Sequence, residues 1–380
     1  MAGRTLRALA AAAAALALTV GIAACGDDDD EGAATTAAAT GPDVEHAQSQ
    51  LDAFSAEPEF EAPGPAVDAA AAAGKSLAIV PASSNVPFVT TIANNMVRIG
   101  DEAGLDVTIF KNNGTPAEWA QGVTDAIAQN ADSIDLLAGL DPAAISAQVR
   151  QATGQDISVV ATHLYDVNQT IDPNITAATN IPYEQAGRLL ADWVIVETGG
   201  DANVLVTTID QVNSTVPMVA GIEDEFATYC GDGCTLTKID STIADLGKLQ
   251  QQVQSALTSD PDINYVINLY DSAQAPQTEA AIKALGRNDL HIATFNGTPE
   301  IMKLIGPDSV IAVDVAENLD WIAYGAIDQH LRLASGAEPT TTPNIPLRVF
   351  DATNIQESTG PGLGFGDAYP DAYRELWGLQ

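Results

Sequence analysis

The residue types that most often carry catalysis are present, but they form no known catalytic pattern. The four histidines are scattered at positions 46, 163, 291 and 330. The sequence has no G-x-S-x-G nucleophile elbow, no H-E-x-x-H zinc motif and no phosphate-binding P-loop. The glycine-rich run 360–366 does not fit the dinucleotide-binding pattern G-x-G-x-x-G. We therefore expect a protein that is not an enzyme and that uses no cofactor and no metal ion.

The charge of the chain excludes several classes of partner. Its 380 residues carry 15 basic and 51 acidic side chains, a formal net charge of −36. Binding to nucleic acid or to an anionic membrane surface would bring like charges together, so neither is expected as a partner. Only 17% of the residues are charged and 46% are apolar, which indicates a folded chain rather than a disordered acidic one.

The first 25 residues have the pattern of an export signal. Arg4 and Arg7 precede an apolar run from Ala8 to Leu18. This run is too short to span a bilayer, which takes about 20 residues, but it fits the core of a secretory signal. Residues 22–26, Ile-Ala-Ala-Cys-Gly, resemble the lipobox of bacterial lipoproteins. The resemblance implies removal of residues 1–24, lipidation of Cys25 and a membrane-anchored extracytoplasmic protein. An ordinary signal peptide that contains a cysteine is the alternative.

Residues 25–74 are predicted to form a lipid-anchored tether and an N-terminal extension. The acidic run Asp27 to Asp30 is followed by an Ala/Thr-rich stretch that ends at Pro42. Self-repelling acids and small residues form a solvated segment that cannot bury a core. Residues 44–54 can form a short helix, and the folded body is expected to begin near Lys75.

The other two cysteines, Cys230 and Cys234, are separated by Gly-Asp-Gly. An exported chain commonly pairs such cysteines. Two glycines let the segment bend enough for the Cα separation of roughly 4.4–6.8 Å that a disulfide needs. A metal site would need further ligands, and no histidine is close in sequence. We expect a disulfide that holds one turn.

The folded body alternates strands and helices twice over. Apolar runs predict strands at 77–80, 107–110, 134–137 and 158–161, and later at 204–208, 265–269, 292–295 and 311–315. Residues 115–118, Thr-Pro-Ala-Glu, form a capping box that starts one of the intervening helices. The pattern predicts the α/β class, with two Rossmann-like parallel-sheet lobes. Ligands of open α/β sheets bind at the carboxyl ends of the strands, so a cleft between the lobes is expected to bind the ligand.

Four segments resemble the type I periplasmic solute-binding proteins of ABC importers, the ribose/galactose-type sugar receptors. They are Asn85-Val86-Pro87-Phe88, Val159 to His163, Phe295 to Glu300, and Trp321-Ile322 followed by Gly325. The resemblance, over about residues 74–338, implies two lobes joined by a three-strand hinge near residues 180, 316 and 341. Lobe 1 would contain residues 75–180 plus 317–341, and lobe 2 residues 181–316 plus 342–380. It also implies hinge closure on the ligand.

The same resemblance implies which residues bind the ligand. They are Asn85, Phe88, Asn113, His163 and Tyr165 from lobe 1, and Tyr270, Asp271, Asn296 and Glu317 from lobe 2 and its crossing. For several of them a structural role is the open alternative. Phe88 can be the first core residue of its helix, and Asn113 can be a turn former. His163 can be structural, and Asp271 can cap the helix that follows it.

The chain departs from the sugar receptors at several of these positions. His163 and Met218 stand where the family usually has arginines, and Asn296 stands where it has an aspartate. Leu246 stands where an aromatic residue is expected. Without arginine, a bidentate grip on vicinal hydroxyls or on a carboxylate is lost. We expect a neutral polyol, a sugar derivative or an amine-bearing small molecule rather than an anion.

The function that the resemblance implies is that of a monomeric receptor that delivers a small polar ligand, such as a neutral sugar, to an ABC permease. A ligand-sensing lipoprotein that reports to a membrane signalling receptor is the alternative, since it differs only in its partner. Regulators with the same two-lobe fold bind DNA through an N-terminal helix-turn-helix, which the sequence lacks.

Overall fold

The apolar runs in the first half of the chain form a five-stranded parallel sheet. The computed structural model describes residues 41–139, 141–360 and 362–379. The strands are β1 (Ser76–Pro81), β2 (Asp106–Ile109), β3 (Ser133–Leu137), β4 (Ser158–Asp166) and β5 (Ala177–Ile181), in the order β2-β1-β3-β4-β5. Four of them confirm predicted strands. The sequence pattern does not predict β5, because its residues, Ala-Ala-Thr-Asn-Ile, form no apolar run.

A second, six-stranded sheet follows. Its strands are β6 (Ala202–Thr208), β7 (Cys234–Asp240), β8 (Tyr265–Asn268), β9 (Ile292–Asn296), β10 (Ile311–Glu317) and β11 (Leu347–Asp351), in the order β11-β10-β9-β8-β6-β7. Only β11 runs antiparallel, against β10. The edge strand β7 is half exposed and polar, which is why the search for apolar runs misses it. These two parallel sheets confirm the predicted α/β class.

Helices cover both sheets. They are α1 (Val44–Ser55), α2 (Pro87–Glu102), α3 (Pro116–Ala128), α4 (Ser146–Thr153), α5 (Tyr183–Thr198), α6 (Thr215–Glu225), α7 (Leu249–Ser259), α8 (Asp271–Leu285), α9 (Pro299–Met302), α10 (Leu319–Ser335) and α11 (Tyr369–Leu376). The capping box at the start of α3 is present, with the side chains of Thr115 and Glu118 each accepting a backbone N–H of the other residue. We call the first sheet with α2, α3, α4 and α10 lobe 1, and the second sheet with α5 to α9 lobe 2.

Five segments of the described part of the chain pass between the lobes. Three lie where the family resemblance places the hinge: after Ile181, after Glu317 and in the segment 336–346 that leads into β11. Two further segments lie outside these crossings. Residues 56–68 lead from α1 to the 3-10 turn Ala69–Ala72, and residues 352–368 lead from β11 to α11.

The first and the last of the described helices, α1 and α11, pack into the folded body. Helix α1 packs on α5, with Ala47 and Leu51 buried, so the predicted extension is docked from residue 44 onward. The C-terminal helix α11 packs on α10 in lobe 1, whereas residues 342–380 were predicted to belong to lobe 2. The reason is the aromatic side of α11: Tyr373 and Trp377 are buried, and Trp377 Nε1 donates to Asp328 at 2.8 Å. The predicted lipidation site Cys25 and the acidic run lie outside the described residues.

The two cysteines lie on either side of the turn that leads from α6 into β7, and Cys234 is the first residue of β7. Cys230 and Cys234 are joined by a disulfide, with their Cα atoms 5.6 Å apart.

Across the described part of the chain, no helix has both the length and the apolar character needed to cross a membrane.

Candidate ligand-binding cavity between the lobes

A small cavity lies between the lobes at the carboxyl ends of the two sheets. Its lining is mostly apolar: Ala82, Val86, Phe88, Val89 and Ala138 with His163 on one side, and Ile209, Val212, Ile243, Leu246 and Ala273 with Ser214, Tyr270, Ser272 and Asn296 on the other. Its volume is about 40 Å³. One water needs about 10–15 Å³ of such a cavity volume, so the cavity has room for a few waters.

Direct contacts between the lobes explain why the cavity is small. The backbone N–H of Phe88 donates to Ser272 Oγ at 3.3 Å, and Asn213 Nδ2 donates to the carbonyl oxygen of Leu164 at 3.1 Å. Both hydrogen bonds join lobe 1 to lobe 2. The structure is therefore a closed arrangement, and a monosaccharide would enter only after the lobes or the lining side chains move apart.

His163 occupies the centre of the lobe 1 side. It lies near the end of β4 with a backbone φ of 59°, in the left-handed region that a residue other than glycine rarely adopts. Its ring lies 4.8 Å from the ring of Phe88 and 5.2 Å from the ring of Tyr183. Ala138 and Asn296 also line the cavity with positive φ. Such strained residues cluster at functional sites, which favours this cavity as the binding site.

A buried network joins His163 to the crossing strand. His163 Nε2 is hydrogen-bonded to Glu317 Oε1, and Asn296 Nδ2 donates to the same oxygen at 3.2 Å. Glu317 is 1% exposed, and its second oxygen, Oε2, has no hydrogen-bond partner among the described residues. A buried carboxylate oxygen without a partner is costly, so a ligand hydroxyl or amine that reached it would be bound favourably.

Tyr270 supplies a polar group from lobe 2. It is the N-cap residue of α8, two positions after the end of β8. Its hydroxyl is hydrogen-bonded to Ser214 Oγ at 2.9 Å and Thr215 Oγ1 at 2.8 Å. Burial raises the pKa of Tyr270 above its ordinary value, so its hydroxyl stays neutral. The group can therefore orient an uncharged ligand but cannot supply a negative charge.

Asp271 does not line the cavity. It accepts hydrogen bonds from the backbone N–H of Thr298 at 2.6 Å, from Thr298 Oγ1 at 2.6 Å and from the N–H of Ser272. Burial raises its pKa to about 7, and burial together with Asp271 raises the pKa of the neighbouring Asp314 well above its usual range. These contacts tie the start of α8 to the turn after β9, so Asp271 has a structural role there. The expected helix cap is a different residue, because Tyr270 is the N-cap of α8 and Asp271 is its first helical residue.

Three other predicted residues also lie away from the cavity lining. Asn85 and Asn113 are exposed, and Asn85 Nδ2 donates to Asn113 Oδ1 at 3.2 Å. Tyr165 is buried in the core of lobe 1, where its hydroxyl accepts from the N–H of Asp172 at 3.4 Å. Burial raises the pKa of Tyr165 to about 12. Of the nine candidates, Phe88, His163, Tyr270 and Asn296 line the cavity, and Glu317 lies behind them.

The lining also contains residues that sequence reasoning missed. Ser214 precedes α6, and Ser272 is the second residue of α8. Ile209 directly follows β6, so the rule that ligands bind at carboxyl ends of strands could have found it. Leu246, noted as a replacement for an aromatic residue, does line the cavity, whereas Met218 is buried where α6 packs on α5.

Comparison with known proteins gives the family. Residues 77–338 match the periplasmic binding protein domain. The ribose import binding protein RbsB of Escherichia coli (strain K12) is 22% identical over 286 residues, which are 74% of this chain and 93% of that protein. RbsB of Salmonella typhimurium gives the same identity and coverage.

Solved structures share the architecture. A solute-binding protein of an ABC transporter from Agrobacterium vitis with bound allitol has a TM-score of 0.67 at 19% identity, covering 76% of this chain and 99% of that chain. A 5-methylthioribose transporter solute-binding protein from Thermotoga lettingae has a TM-score of 0.67 at 17% identity, covering 80% of this chain and 96% of that chain. The family match spans most of the chain and agrees with its two parallel sheets. The chain therefore belongs to the periplasmic binding protein family.

Proposed function

We propose that this protein is an extracytoplasmic receptor that captures a small neutral, sugar-like ligand between its lobes and delivers it to an ABC permease. The observation that carries the proposal is the cavity at the carboxyl ends of both sheets, with the network of His163, Asn296 and Glu317 at its base. The relatives support it, since one is a ribose import binding protein and another was solved with allitol.

The chemistry of the lining favours a neutral ligand. Neither arginine nor lysine lines the cavity in the described chain, while the buried carboxylate of Glu317 lies next to it. A phosphate or a carboxylate would meet a like charge without a compensating cation. Most of the lining is apolar, which favours a polyol or sugar that also presents an apolar face or substituent.

A binding panel tests this proposal. Isothermal titration calorimetry and thermal shift would compare ribose, allitol, 5-methylthioribose and ribose 5-phosphate on the purified protein. We expect binding of at least one neutral compound, with the apolar-substituted sugar preferred over ribose, and no binding of the phosphate. Stabilisation by the phosphate alone would contradict the proposed ligand class.

Attachment to the membrane through Cys25 is part of the same proposal. The lipobox-like residues 22–26 support it. Metabolic labelling with a fatty-acid analogue should label the wild type and fail to label Cys25→Ala. An unlabelled wild type would contradict the anchor without affecting the proposed ligand.

A further inference from the structure

A second cluster of ionisable side chains lies away from the cavity, where the N-terminal helix docks on lobe 2. It contains His46 of α1, Asp192 of α5 and Glu225, the last residue of α6. His46 Nε2 lies 3.1 Å from Glu225 Oε1. One nitrogen or oxygen atom from each of the three residues lies within 4.8 Å of the other two. We call these residues the helix-docking triad.

Asp192 shows that the triad is incomplete as a hydrogen-bonded cluster. Its side chain is 0% exposed, and neither carboxylate oxygen has a hydrogen-bond partner among the described residues. A buried carboxylate with no donor is strongly unfavourable unless a cation or a proton neutralises it.

The charges around the triad attract a cation. Arg188 Nη1 donates to Glu225 Oε2 at 3.0 Å, and its Nη2 lies 2.9 Å from Glu184 and 2.6 Å from Asp224. This one guanidinium is therefore shared among three carboxylates. It leaves Glu225 Oε1 facing His46, and it makes no hydrogen bond to Asp192. The region as a whole keeps an excess of negative charge.

The donor set identifies the class of ion. Imidazole nitrogen and carboxylate oxygen are both ligands that Zn²⁺ takes, and a water would complete four-coordination beside the three side chains. Calcium and magnesium prefer sites built only from oxygen atoms. The imidazole ring of His46 is stacked on Tyr229 with 3.5 Å between the ring centroids, which holds it in a fixed orientation.

We propose that His46, Asp192 and Glu225 bind a zinc ion that fastens the N-terminal helix to lobe 2. This inference departs from the expectation that the chain holds no metal. The site depends on residue 46, which lies outside the family-matched residues 77–338, so it would belong to this chain's own N-terminal extension. The backbone N–H of Asp43 donates to the carbonyl oxygen of Tyr229 at 2.7 Å, so α1 is already positioned for binding.

The test is calorimetric titration of the untagged protein with zinc chloride after removal of metal by EDTA. We expect saturable binding to the wild type with one zinc per chain. His46→Gln and Asp192→Asn should each weaken binding at least about 100-fold, because each removes a direct ligand. The control is His291→Gln, which changes a histidine of lobe 2 outside the triad and should bind zinc like the wild type.

Two further measurements keep the result interpretable. In EDTA, Asp192→Asn should unfold at or above the wild-type temperature, because a neutral amide costs less to bury than an unpaired carboxylate. X-ray absorption at the zinc edge should show only nitrogen and oxygen ligands. Absence of saturable binding, or affinity that both triad variants retain within threefold, would overturn the proposal, since zinc would then bind elsewhere or not at all.

Discussion

Two buried histidine–carboxylate pairs of similar composition have different surroundings in this molecule. His163 of β4 in lobe 1 is hydrogen-bonded to Glu317, the last residue of the crossing strand β10. This pair lies beside the cavity. His330 lies 3.0 Å from Asp135, and Asp135 also accepts from Thr162 Oγ1 at 2.7 Å. All the partners in the second pair belong to lobe 1. The histidine beside the cavity is thus paired with a residue of a segment that passes between the lobes, whereas the histidine away from the cavity is paired within one lobe.

The largest expected effect concerns the pair within lobe 1. His330→Ala removes the imidazole from Asp135, which is 0% exposed and keeps only the hydrogen bond from Thr162 Oγ1. We expect the free energy of unfolding to fall by about 3 kcal/mol, measured by urea denaturation. Ligand affinity of the folded protein should stay unchanged. The control His291→Ala removes a partly exposed histidine and should cost less than about 1 kcal/mol. Equal losses of unfolding free energy in the two variants would show that the His330–Asp135 pair stabilises the protein no more than a partly exposed histidine does.

For the His163–Glu317 pair beside the cavity, we expect a larger effect on ligand affinity than on stability. Glu317→Gln keeps the shape of the side chain but removes the charge that faces His163 and the ligand. We expect ligand affinity to fall about 10- to 100-fold, as judged by calorimetry with the best compound of the panel. The free energy of unfolding should change less than in His330→Ala. Unchanged affinity would mean that Glu317 serves only to hold the hinge strand.

The pH dependence of stability tests the buried carboxyl group of Asp271 in lobe 2. Burial raises the pKa of Asp271 to about 7, so the folded state holds a proton that the unfolded chain releases near its ordinary value of 3.8. The stability that this group contributes is fully present below about pH 4 and is lost as the pH rises towards 7. Asp271→Asn should flatten this part of the unfolding free energy against pH. An identical pH profile in wild type and variant would contradict the raised pKa.

The smallest effect is expected at the exposed asparagine pair. Asn85→Ala removes one hydrogen bond to Asn113 between two exposed side chains. We expect less than about 0.5 kcal/mol of lost stability and ligand affinity within twofold of the wild type. A tenfold loss of affinity would show that Asn85 contacts the ligand in another arrangement of the lobes. In that case the binding site would extend to the rim of the cleft.

The sequence predicts the elements best where local patterns are strong. Helix α3 follows from its capping box, and β3 from a continuous apolar run, since both signals act within a few residues. Strand β7 and helix α6 have weaker patterns. Strand β7 lies at an edge and exposes half of its side chains, and α6 carries its polar and apolar residues on no clear face.

The residues of the candidate site also divide into those that a local pattern predicts and those that it does not. Residues that lie at strand ends, such as His163 and Tyr270, are found from position and residue type because parallel strands end at one edge. Asn85, Tyr165 and Asp271 occupy similar positions in sequence but face solvent, the core or a neighbouring turn. The direction of a side chain depends on backbone twist and on its partners, which a strand pattern does not contain.

By itself, the sequence determined the α/β class, the two lobes and the lack of arginine at positions 163 and 218. Those properties depend on periodicity and residue type, which are local. Only the tertiary structure decided that the lobes meet across a small cavity, that Glu317 completes the network of His163, and that α11 packs on lobe 1. It also brought His46 to Asp192 and Glu225, residues about 150 and 180 positions away in the chain. Contacts of that range form only when the whole core packs, so no local pattern specifies them.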